Sequence, residues 1–272
     1  MVNMTTLYIS LSAILFYSLA LLAVINQLFI RRGATPNYKK NMLATASVAT
    51  FLHITLLYQT IVTEQGLLLD LFNMFSLVSA LMMVILLLTV LRRPVENLAI
   101  ALLPMAIITL CLRLLTEANN ASLIQHSNEL QLHILLSVVA FSLLSIAATQ
   151  AILLAIQEQQ LRNHKPSGFI RVLPPMESME TLLFQAIYIG FIMLSLALFN
   201  GLLTLQDMFA QHLVHKTILS LSAWLVFAIL IWGRWRYGWR GRTAIRWTLI
   251  GIVTLLLAYF GSKIVLELIL HR

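Results

Sequence analysis

Apolar residues run along this chain in eight long blocks, separated by short polar stretches. The blocks are Leu7–Ile30, Met42–Val62, Leu71–Leu91, Leu98–Leu115, Leu132–Ile156, Leu182–Leu203, Thr217–Trp232 and Ile245–Leu268. Each approaches the ~20 residues with which an α-helix crosses a ~30 Å hydrocarbon core. A soluble helical protein would show shorter, amphipathic stretches instead. The pattern predicts an all-α polytopic membrane protein, a bundle of eight transmembrane helices forming a single transmembrane domain over residues 1–272.

Positive charge orients these spans. Arg31, Arg32, Lys39 and Lys40 fall in the first loop, and Arg92 and Arg93 in the third. Arg162, Lys165 and Arg171 lie in the fifth, with Arg234, Arg236, Arg240, Arg242 and Arg246 in the seventh. Only Arg113, Lys216, Lys263 and Arg272 lie elsewhere. Basic residues mark cytoplasmic loops, so the odd loops are predicted inside and both termini outside, on the periplasmic face. The formal net charge of +8 is thus a topology signal. Spread over four short loops, it gives no nucleic-acid footprint, and no nucleic-acid partner is expected. The first span lacks the flanks of a signal peptide and reads as retained. Cys111 is the only cysteine, which excludes an intramolecular disulfide, a CxxC pair and a thiolate cluster.

Between spans five and six lies the longest polar piece, Gln157 to Thr181. Pro174 and Pro175 disfavour helix just before them, and Glu177 and Glu180 suit the first turn of a new one. The seventh loop, Trp232-Gly-Arg-Trp-Arg-Tyr-Gly-Trp-Arg-Gly-Arg242, combines interfacial aromatics with basic anchors, so membrane lipids, anionic ones above all, are expected contacts.

Candidate chemistry rests on histidines and on cations inside spans. His53 falls roughly 17 Å into the second span, past its midpoint towards the outside. His133 sits at the outer mouth of span five, and His215 in the outer loop before span seven. Ionisable residues inside a membrane are functional candidates by default, and neutral imidazole binds metals, haem iron included. His53 and His133 are therefore candidate haem-iron ligands, with His215 a weaker candidate. The bland alternative is a helix-to-helix hydrogen bond for His53 and solvation for the loop histidines. Arg113 and Lys263 each precede a glutamate by four residues, Glu117 and Glu267, which places each pair on one helix face. They suit either snorkelling with local pairing or contact with an anionic ligand such as a haem propionate. No phosphate loop, HExxH or Ser/His/Asp signature is present, and no carboxylate lies at mid-span.

Several spaced segments resemble the cytochrome c assembly (CcsA/CcmC-like) membrane proteins, in particular a compact bacterial branch. They are Leu173-Pro-Pro-Met-Glu-Ser-Met-Glu-Thr-Leu-Leu-Phe184 with Ile187-Tyr-Ile-Gly-Phe191, Gly238-Trp-Arg-Gly-Arg242, Leu257-Ala-Tyr-Phe-Gly-Ser262, and Leu132-His-Ile-Leu-Leu-Ser137. The resemblance covers essentially the whole chain. It implies a multi-pass protein of the bacterial inner membrane that binds haem b and presents it on the outer face. Any enzymatic role would be limited to assisting haem attachment to apocytochrome c, with haem-handling proteins or the apocytochrome as partners. His133 matches the family's outer histidine at the fifth helix, and His215-Lys216 falls where the family carries Asp-Pro-Lys. One element differs: the loop Thr204–Lys216 holds no tryptophan where the family has WGxxWxWD. That difference motivates a rival reading, a non-enzymatic scaffold or regulatory partner of another inner-membrane protein such as an ion transporter.

Overall fold

The computed structural model describes residues 4–27, 38–63, 66–93, 95–115, 122–124, 128–163, 173–204 and 214–261. They form helices α1 (Met4–Ile25), α2 (Tyr38–Ile61), α3 (Leu71–Arg92), α4 (Ala99–Leu115), α5 (Asn128–Arg162), α6 (Met176–Thr204), α7 (Val214–Tyr237) and α8 (Gly241–Leu256). A 3-10 turn, Glu96–Leu98, leads into α4, and a π turn, Leu257–Gly261, prolongs α8. With these turns included, all eight helices are long and apolar enough to cross a membrane. The helices run past the expected spans at most ends, because polar residues at an interface extend a helix without entering hydrocarbon. The extreme case is α5, which has 35 residues.

Contacts divide the helices into two units, one built from α1–α4 with the last residues of α5 from Gln160 on, the other from the rest of α5 with α6–α8. In the first unit, α1 packs on α2 and α4, and α3 packs on α2 and α4. Fully buried Ala13, Tyr17, Ala20 and Val24 of α1 form one face, and Ala46 and Ala49 of α2 are buried as well. Lipid tails give no hydrophobic drive between helices, so association depends on such small residues allowing close backbone approach. Asp70 caps α3 by accepting from the Asn73 backbone N–H. Lys39 and Glu96 pair at 2.9 Å at the opposite, basic end.

An unanticipated element closes the other end of this unit. Strands β1 (Val62–Thr63), β2 (Gly66–Leu69) and β3 (Ser122–Ile124) form an antiparallel sheet in that order, with Leu67 opposite Ile124 and Leu69 opposite Ser122.

In the second unit, glycines set the approach of helices. A Cβ at Gly190 of α6 would lie 2.8 Å from Leu144 Cγ of α5, and one at Gly251 of α8 would lie 2.7 Å from Phe227 of α7. Arg234 of α7 and Arg240, just before α8, meet at one end on Glu180, which is buried in the first turns of α6. Arg234 Nη1 donates to Glu180 Oε1 at 2.8 Å and Arg240 Nε to the same oxygen at 3.0 Å. Arg234 also donates to the Trp239 carbonyl, and its guanidinium lies 4.5 Å from the Phe184 ring centroid. The link between α7 and α8 is tight: Gly238, at φ +65°, supplies the left-handed residue that ends α7.

Candidate functional site

His53 is fully buried in the first unit, at the meeting point of three helices. Its Nε2 lies 2.8 Å from Ser76 Oγ of α3, and its Nδ1 lies 3.4 Å from Tyr17 Oη of α1. Tyr17 donates to Thr50 Oγ1 at 3.2 Å, and Thr50 donates to the Ala46 carbonyl at 2.7 Å. Counting donors fixes the direction of this chain. The Ser76 hydroxyl has one hydrogen-bond partner among the described residues, His53 Nε2, so it donates there. The ring proton then belongs on Nδ1, facing the Tyr17 oxygen. Every polar hydrogen in the series has an acceptor, and both ring nitrogens of His53 are engaged. Farther along α3, Ser79 joins Thr109 of α4 at 2.7 Å.

His133 differs. It lies near the start of α5, partly exposed, in the second unit. Its Nδ1 is 3.0 Å from the Ala197 carbonyl of α6. A carbonyl only accepts, so Nδ1 carries a proton, and in the neutral ring Nε2 then keeps its lone pair. Among the described residues Nε2 has no hydrogen-bond partner. A neutral imidazole held through Nδ1–H to a backbone carbonyl, with Nε2 open, is the arrangement of a metal-ligating histidine.

The remaining candidates divide. Arg113 lies near the end of α4 in the first unit, within electrostatic range of Asp70 but making no hydrogen bond or ion pair among the described residues. His215 belongs to the first turn of α7, with its side chain outside the described residues. Lys263, Glu117 and Glu267 fall outside them altogether. The structure thus places His53 and Arg113 in one unit and His133 in the other. Three residues escaped sequence reasoning. Glu180 reads as an ordinary helix-start acid but receives two arginines. Asn200 of α6 has a buried Oδ1 with no hydrogen-bond partner among the described residues. Lys216 of α7 is half-buried with no ion pair among the described residues. The lone amide of Asn200 among apolar neighbours was the one available signal.

Comparison with known proteins matches residues 42–270 to the family model described as cytochrome C assembly protein. Over 262 residues the chain is 31% identical to inner membrane protein YpjD of Escherichia coli strain K12, an alignment spanning 96% of this chain and 98% of that protein. An uncharacterized 28.8 kDa protein in a nifR3-like 5′ region of Azospirillum brasilense is 33% identical over 143 residues, 52% of this chain and 53% of that protein. No solved structure matches.

Proposed function

This chain belongs to the cytochrome C assembly protein family, and from that premise we propose that it binds and handles haem b, with both termini on the periplasmic side. It is a multi-pass inner-membrane protein. The observation that carries the proposal is the His133 ring, pinned through Nδ1 to the Ala197 carbonyl at 3.0 Å and open at Nε2. Among the described residues no three of His, Cys, Asp or Glu group to hold a bare metal ion. An iron at His133 therefore has to bring most of its coordination sphere with it, as a porphyrin does. Haem would supply the iron and the vinyl groups for thioether attachment on a partner apocytochrome. The chain's own residues orient it: α5 and α6 fix the imidazole, and the apolar helix faces exclude water. His53 enters as the residue that pins α1, α2 and α3, because ligation there would cost the Ser76 bond.

The test is an absorption spectrum and pyridine haemochrome assay on the detergent-purified protein beside His133→Ala and His53→Ala. Stoichiometric haem that is lost in His133→Ala supports the proposal. An unchanged spectrum in that variant refutes it.

One observation favours a second reading. The tryptophan-free stretch Thr204–Lys216 lacks the family's aromatic platform, which suits a scaffold or regulator contacting its partner through the Gln157–Thr181 segment and the basic Arg234–Arg246 stretch around the α7–α8 link. Co-purification from membranes tests it: if deleting 162–178 releases no partner, that surface is wrong.

A further inference from the structure

We propose that Lys216 and Asn200 form the acid-binding edge of the His133 site, so that the ligand taken there is a metallated tetrapyrrole with free carboxyl groups. This inference rests on the haem reading above. Two cross-links fix the levels of the three residues within the second unit. Trp224 Nε1 of α7 donates to Ser195 Oγ of α6 at 2.9 Å, and His133 of α5 is joined to Ala197 of α6. Helix α6 runs away from the arginine end, so Ala197 lies ~3 Å and Asn200 ~7.5 Å beyond Ser195 at 1.5 Å per residue. Helix α7 runs the other way, and Lys216, eight residues before Trp224, lies ~12 Å beyond the same level. His133, Asn200 and Lys216 therefore ascend in that order at the end away from the arginines.

Each presents an unmet chemical demand. His133 offers an open lone pair to a Lewis acid. Asn200 buries an amide oxygen that has no partner among the described residues, and an amide can serve either an ionised or a protonated carboxyl group. Lys216 holds an ammonium half out of water with no carboxylate beside it among the described residues. Buried polar atoms without partners call for an explanation, and a partly buried cation is stabilised by an anion. A molecule with a metal at its centre and carboxylates at its rim answers all three demands at once. Arg113, the other described candidate for such a contact, belongs to the first unit.

The experiment titrates the detergent-purified full chain with hemin and, separately, with hemin dimethyl ester, whose acids are blocked, following the absorption band of the bound form. Wild type should prefer hemin over the diester by about tenfold, the worth of one charge-assisted hydrogen bond. Lys216→Gln should abolish that preference and Lys216→Arg should keep it. Asn200→Leu should weaken hemin binding by severalfold. Melting of the apoprotein checks that each variant folds, and Lys216→Met stands in if the glutamine variant does not. A preference that survives loss of the cation overturns this inference alone, provided that His133→Ala still removes the haem spectrum. If His133→Ala leaves the spectrum unchanged, or hemin does not bind, the haem reading fails and takes this inference with it.

Discussion

Replacing Glu180 tests how the α6, α7 and α8 ends are held together. The Glu180 side chain is only 10% exposed and receives Arg234 at 2.8 Å and Arg240 at 3.0 Å through one oxygen. The two bonds differ in worth because their arginines differ in exposure, 26% for the Arg234 side chain and 55% for Arg240. A charge-assisted bond in a partly buried setting contributes about 1.5–3 kcal/mol, whereas a well-exposed pair contributes about 0–1 kcal/mol. Glu180→Ala should therefore cost about 2–4 kcal/mol. The cost stays below that of a fully stranded buried cation, since Arg234 keeps the Trp239 carbonyl and the Phe184 ring. Glu180→Gln keeps an acceptor and should cost about half as much. Equilibrium unfolding in mixed micelles measures both, and double-mutant cycles separate the partners. The Glu180–Arg234 coupling should exceed the Glu180–Arg240 coupling by about 1 kcal/mol, and only the latter should shrink markedly in ~0.5 M salt. A Glu180→Ala variant within ~0.5 kcal/mol of wild type, or the reverse order of couplings, would refute the reasoning.

Three further outcomes are expected. Ser76→Ala removes the donor to His53 Nε2 and should destabilise the first unit by about 0.5–1.5 kcal/mol, read as a lower melting temperature; Ser222→Ala, whose hydroxyl is exposed and bonds only within its own helix turn, should change it little. Gly233→Ala would place a Cβ 2.3 Å from Trp239 Cε3 and should cost about 1–3 kcal/mol by overpacking, again by unfolding in micelles. In a Cys111→Ser background, Thr63→Cys should react with an impermeant maleimide on intact cells, and Asn163→Cys only after permeabilisation. The opposite pattern would invert the periplasmic assignment of the termini.

The eight spans were legible because hydrocarbon imposes one length and one composition on every helix that crosses it. The start of α6 was legible too: it begins at Met176, directly after Pro174 and Pro175, with Glu177 in its first turn. The sheet was not, since β1 has 2 residues and β3 has 3, too few for alternation to register, and β3 finds its partner across two intervening helices. The last helix changes to a π turn at Leu257–Gly261, where no proline interrupts the sequence. At the candidate site, type and depth of the histidines pointed to both His53 and His133. What separates them is the partner of each ring nitrogen, Ser76 and Tyr17 for one and the Ala197 carbonyl for the other. Those partners are 23, 36 and 64 residues away in sequence, a separation that no local pattern encodes. Lys216 stood out only as a basic residue outside the odd loops and as a neighbour of His215, because nothing in sequence tells a half-buried ammonium from a solvated one.

The pairing of β2 with β3 bears on how the chain is assembled in the membrane. Leu67, Leu68 and Leu69 meet Ile124, Leu123 and Ser122, and everything between them is the α3–α4 hairpin. The strands can meet only when α3 has crossed the bilayer and α4 has crossed back, which leaves both strands on one side. An inserting chain in which either helix stalls keeps them on opposite faces, with the backbone groups of β2 that face β3 unpaired. The sheet thus acts as a latch on correct threading: it closes over a loop of more than fifty residues, and only once α3 and α4 have both crossed.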